Sequence, residues 1–167
     1  MSRTATQGDP SVFYARDVHQ LNLVLGKFLR RSGADTVLLV DEAGHLTARQ
    51  GETSPASEDT ITALVAGTYA ASRAMAQMLG SEEFSSLVRC GTDRKIMILR
   101  AGDHALLAVA FTSQVAVSLL RTYALEAIRK VCAVFERRLR GPRDSEEQIQ
   151  GQRFDSEIDS ALSDVFG

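Results

Sequence analysis

Three histidines, two cysteines and the adjacent acids Asp41 and Glu42 carry side-chain types that could do chemistry in this chain. His19, His45 and His104 stand apart, and the last two directly follow turn-forming residues. They read as surface residues rather than as a general base, which needs a proton-transfer partner within hydrogen-bond reach. Asp41 and Glu42 lie at a predicted hairpin turn and read as turn formers, not as an acid-base pair. Cys90 and Cys132 lack CxxC spacing and fall on a predicted strand and on a helix core face, the pattern of two reduced, buried thiols. No GxxxxGK[ST] phosphate loop, no GxGxxG after a strand, and no HExxH, GxSxG or paired-cysteine motif occurs in the sequence. The expectation is a protein without a catalytic centre, metal or cofactor of its own.

Arg73 is the one charged side chain within Ile61 to Gly80, ITALVAGTYAASRAMAQMLG. It stands at about 120° on the helical wheel, at the border of a face of small residues. Two readings are open for it: an arginine finger reaching a partner's phosphates, or an ordinary salt bridge.

The helix that must position Arg73 is itself the most informative element. Ile61, Leu64, Val65, Thr68, Ser72, Met75 and Leu79 fall on one stripe, and Ala63, Ala66, Gly67, Ala70, Ala74 and Gln77 on the opposite one. A water-facing stripe would normally carry Lys and Glu. A glycine inside a helix costs about 1 kcal/mol relative to alanine, so a bare face that includes Gly67 is expected where another backbone or partner surface comes close. The pattern predicts a helix with two contacts; burial of both sides in one core is the alternative.

Around it the chain reads as one domain with appendages. A polar N-terminus, residues 1–12, precedes a helix from about Phe13 to Arg31 with Val18, Leu21, Val24, Leu25, Phe28 and Leu29 on one face, ending near Gly33. TVLLVDEAGHLTAR predicts a β-hairpin turning at Gly44. Ser57 is the expected N-cap of the central helix, with Glu58 and Asp59 in its first turn. SEEFSSLVRCG, RKIMILRAG and HALLAVAF predict three strands, and a last helix from about Val115 carries Leu120, Tyr123, Ala124, Ala127, Ile128, Val131, Phe135 and Leu139 inward until Gly141-Pro142 stops it. The fold class is α+β, in the order α-β-β-α-β-β-β-α.

Residues 141–167 differ in composition. Arg143 and Arg153 stand against seven acids, a charge of -5, which leaves +3 on the rest of a chain whose net charge is -2. Such a segment is expected to be disordered when unbound. Its end places Phe154, Ile158, Leu162 and Val165 at amphipathic spacing, either to dock in a partner's groove or to fold back on the body. The whole-chain charge gives no general reason to expect nucleic-acid or membrane binding, no apolar run nears the ~18 residues of a membrane span, and no basic-then-apolar leader is present, so a cytoplasmic protein is expected.

The succession LLVDEAGHL, TALVAGTYAASRAMAQMLGSEEF and LRAGDHALLAVAF resembles the roadblock/dynein-light-chain family, and within it the bacterial MglB-type regulators of Ras-like GTPases. The resemblance covers residues 13–140, and FDSEIDSALSDVF is similar to the acidic C-terminal segment of those regulators. The family pattern has a glycine in the turn before the last helix, whereas this chain reads FTSQVAVSLLR. The resemblance implies a roadblock fold with a five-stranded antiparallel sheet, in a homodimer whose sheets pair edge to edge. The first and last helices would lie on one face and the central helices together on the other, as a platform for one GTPase.

It further implies that the dimer binds the GTP form of an MglA-type GTPase and raises its hydrolysis rate by rearranging the GTPase's own residues. Ala70 and Ala74 match the GTPase-facing positions, with Gly67 and Ala63 one turn earlier and Arg73 alongside. Many roadblock proteins are scaffolds, so a non-activating adaptor for a small GTPase is the second implied function. A small-ligand sensor domain is the third, disfavoured by the absence of Trp and the low Tyr content with which to line a pocket.

Overall fold

The computed structural model describes residues 15–82 and 84–140. Three helices and five strands follow in the order α1 (Ala15–Ser32), β1 (Thr36–Asp41), β2 (Leu46–Gly51), α2 (Pro55–Met78), β3 (Ser86–Cys90), β4 (Arg94–Ala101), β5 (Ala105–Thr112) and α3 (Val117–Leu139). This is the expected α+β order. The strands form one antiparallel sheet in the order β2-β1-β5-β4-β3. Residues through Cys132 belong to one compact unit and those from Ala133 to a second, so the division falls within α3.

Strand alternation sorts the sheet into two faces. Register aligns Val37, Val109 and Met97 in one row and Leu39, Leu107 and Leu99 in the next, all but fully buried. Leu38, Ala108 and Ile98 make a row on the opposite face. Neighbouring residues of β2 show which helix covers which face. Gln50 donates to Asn22 of α1, whereas Arg49 forms an ion pair with Glu58 of α2. α1 and α2 therefore lie on opposite faces. α3 shares the α1 face: the Arg31 guanidinium stacks 4.7 Å from the Tyr123 ring centroid and reaches Glu126 at 3.0 Å.

The hairpin turn closes as the sequence predicts. Gly44 takes φ +93°, a conformation costly for any residue with a Cβ, and Asp41 locks the turn by accepting the His45 backbone N–H at 2.8 Å. The turn before α3 contains no positive φ. It closes through Val115 N–H to the Thr112 carbonyl, and Ser113 N–H to that of Asp93, which is why it forms without a glycine.

Four expectations need correction. α2 starts three residues early, with Ser54 rather than Ser57 at the N-cap, because Pro55 tolerates the first helical position where its missing N–H is not needed. Its buried stripe is rotated: Thr62, Val65, Ala66, Tyr69, Ser72 and Ala76 face inward, while Leu64, Met75 and Leu79 are exposed. Cys90 is exposed and Cys132 half-buried, since β3 is an edge strand and its last residue has no helix over it. In α3, Val134 is buried where Leu139, in the last turn, is exposed and Phe135 is half-buried.

Candidate protein interaction surface

α2 is anchored by its first turn and leaves most of its circumference uncovered. Glu58 accepts from Thr53 Oγ1 and pairs with Arg49, fixing the helix start to β2. The hairpin turn fixes the next stretch: a Cβ on Gly44 would come within 3.2 Å of the Ala63 Cα. A side chain there would have to push the helix back by a few tenths of an ångström and also adopt φ +93°. Val65 and Tyr69 then fill the space between helix and sheet with Leu38, Val40, Ile98, Leu106 and Ala108.

Three surfaces of α2 remain open. The outward ridge carries Ala63, Gly67, Ala70 and Ala74, all exposed, with Arg73 exposed beside them. A Cβ on Gly67 would meet nothing within 4 Å. Among the described residues nothing requires that glycine. The five residues predicted as an interaction site are thus brought together on one solvent-facing strip.

The second surface is a flank the wheel had assigned to the core. Leu64 is 64% exposed and Met75 54%, and both border a groove of about 630 Å³ between α2 and the outer strands. The groove exists because β5 presents Ala108 and Ala110 there, too small to fill the space that Ile96 and Leu87 flank. Beyond it, among the described residues, β3 is hydrogen-bonded on one side only, to β4. An apolar flank beside an open strand edge is a surface that folded proteins normally cover.

The third surface is a trough of about 330 Å³ on the other flank, bordered by Ala66, Tyr69, Ala70, Arg73, Ala74 and Gln77 of α2, by Leu106, and by Glu42 from the hairpin turn. Sequence reading missed Glu42 and the exposed apolar flank. The excess of apolar residues on α2 over what one contact can bury was the available signal for the flank.

Phe154, Ile158, Leu162 and Val165, expected as a docking segment, lie outside the described residues, as do residues 1–12. Among the described residues no group of three or more His, Cys, Asp or Glu is placed to hold a metal ion, and no helix is long and apolar enough to cross a membrane. The Arg31 hydrogen bond, with Lys130 adding to it, holds the Glu126 carboxyl below its ordinary range. His45, exposed and bonded to Asp41, is a turn residue.

Comparison with known proteins agrees with that geometry. The Roadblock/LC7 domain model matches residues 20–111. Among solved structures, MglB of Myxococcus xanthus is 26% identical with a TM-score of 0.70, over 75% of this chain and 94% of that one. The gliding protein MglB of Thermus thermophilus is 30% identical with a TM-score of 0.70, over 77% and 98%. An MglB with a tetrameric arrangement is 29% identical with a TM-score of 0.71, over 77% and 98%. Among curated protein sequences none matches this chain. With more than half of the sequence matched by the family model and the fold shared along nearly the full length of these structures, the chain belongs to the Roadblock/LC7 family as an MglB-type member.

Proposed function

We propose that this protein is a homodimeric, cytoplasmic regulator that binds the GTP form of a Ras-like, MglA-type GTPase and stimulates hydrolysis without donating a catalytic residue. The observation that carries the reading is the bare strip Ala63, Gly67, Ala70 and Ala74, exposed on an anchored helix and packed against nothing among the described residues. Pairing of two β3 edges brings two α2 helices side by side, covers Leu64 and Met75, and turns two narrow strips into one broad platform. The tetrameric arrangement of a similar MglB supports self-association in this fold. Residues 141–167 act as a tether whose Phe154, Ile158, Leu162 and Val165 engage a second surface of the same GTPase, raising affinity through effective concentration.

Single-turnover GTP hydrolysis by an MglA-type GTPase, with and without this protein, tests the reading. The expected result is acceleration that survives Arg73→Ala within a few-fold and is abolished with binding by Ala70→Arg or Ala74→Arg in folded dimers. An arginine finger would instead lose about 10³–10⁵-fold on removal of Arg73. Binding with unchanged turnover would make the protein an adaptor, and retained binding by the Ala70→Arg, Ala74→Arg double variant would move the partner off this strip.

A further inference from the structure

The trough on the far flank of α2 has a chemical polarity along its length. Its lining between the charged ends is mostly apolar, from Ala66, Tyr69, Ala70 and Leu106. The hairpin turn that touches α2 at Ala63 and Ala66 brings Glu42 to one end. Arg73 borders the trough seven residues further along α2, about 10 Å away at the helical rise of 1.5 Å per residue. The two charges are not equivalent. Arg73 is already engaged within the protomer. Asp41, next to Glu42, is committed to the His45 backbone and ring. Glu42 is exposed, and among the described residues its carboxylate has no hydrogen-bond or ion-pair partner. A mostly apolar trough ending in an exposed carboxylate without a protein partner matches a long cationic side chain, whose methylene stem covers alanines while its charged head reaches an acid.

We propose that this trough receives a lysine or arginine of the GTPase, with its stem over Ala66, Ala70 and Leu106 and its head on Glu42, so that the β1–β2 turn and not α2 alone fixes the orientation of the bound partner. The inference rests on the platform reading and adds to it a specific anionic contact outside the central helix. An ion pair at the edge of such a platform is partly desolvated on docking, which makes its loss large enough to measure and its strength sensitive to salt.

The test is titration of an MglA-type GTPase, loaded with a non-hydrolysable GTP analogue, against the full-length protein and three variants at low and high NaCl. Glu42→Lys should weaken binding about 10-fold or more and Glu42→Gln about 3–10-fold, both flattening the salt dependence. Asp93→Lys makes the same charge change in the β3–β4 turn, at the other end of the sheet, and should stay within about two-fold. Unchanged melting and elution volume exclude misfolding, as expected for an exposed turn residue. Glu42→Lys and Glu42→Gln binding like wild type, while Ala70→Arg abolishes binding, would overturn the Glu42 contact and leave the platform standing. Equal losses from Asp93→Lys and Glu42→Lys would reduce the effect to general attraction and also overturn it. Wild-type binding by Ala70→Arg would remove the platform and the contact together.

Discussion

The dimer reading is tested most directly through Leu64 and Met75, because their exposure in the protomer sets the size of the effect. Complete burial of a Leu or Met side chain stabilises by about 1.5–3 kcal/mol. Leu64 has 64% and Met75 54% of that burial still to gain. Together they offer roughly 2–3.5 kcal/mol per protomer, and about twice that across a twofold interface that uses the same flank on both copies. Replacing both with serine leaves the core untouched, since neither side chain contributes to it in the protomer, but removes this term from association. The dimer dissociation constant should rise by at least about 10²-fold even when part of the area is lost to imperfect packing. Sedimentation velocity of wild type and Leu64→Ser, Met75→Ser between about 0.5 and 50 μM reads this as a shift from dimer toward the 18.2 kDa monomer. Thermal melting extrapolated to low concentration checks that the protomer stays folded. A wild-type protein that is monomeric at tens of micromolar, or a double variant that dimerises as tightly as wild type, would refute the argument.

Four further outcomes are expected. Gly51→Ala should cost about 2–3 kcal/mol and lower the melting temperature by roughly 5–10 °C, because Gly51 has φ +97° and its Cβ would lie 2.2 Å from the Asp35 carbonyl oxygen; Gly67→Ala should instead raise stability by about 1 kcal/mol while weakening the GTPase complex, and a gain in both would show that nothing approaches that glycine. The lowered pKa of Glu126 means that its bonds to Arg31 and Lys130 stabilise the protein above the ordinary carboxylate range and are lost as pH falls through the lowered value, so Arg31→Gln should move the Glu126 titration upward by NMR and flatten that acid-side dependence. Deleting residues 141–167 should keep fold and dimer but weaken GTPase binding, with Phe154→Ala, Ile158→Ala reproducing much of the loss; equal affinity for full-length and truncated protein would exclude the tail from the contact.

What the sequence determined by itself is local in origin. Periodicity located all eight elements, and glycine fixed the turn at Gly44, because a period of 2 or 3.6 and a need for positive φ are written in neighbouring residues. The bare strip Ala63, Gly67, Ala70 and Ala74 was equally legible, since a run of small residues on an otherwise polar-deficient helix is a property of the wheel. What only the tertiary structure decided is which part of the apolar arc is covered. The wheel places Leu64 and Val65 together, yet the sheet buries Val65 and leaves Leu64 in the open, because the Gly44 turn and the Arg49–Glu58 pair fix the helix over β1 and β2 while Ala108 and Ala110 leave a groove beyond. Cys90 follows the same logic: its strand was foreseeable, but exposure depended on that strand being last in the sheet. Glu42 gave no signal at all in the sequence beyond a turn residue, and gains meaning only because the hairpin folds it against a helix that begins thirteen residues later. Side-chain periodicity reports how an element is made; its cover is set by residues distant in the chain, whose positions no local pattern encodes.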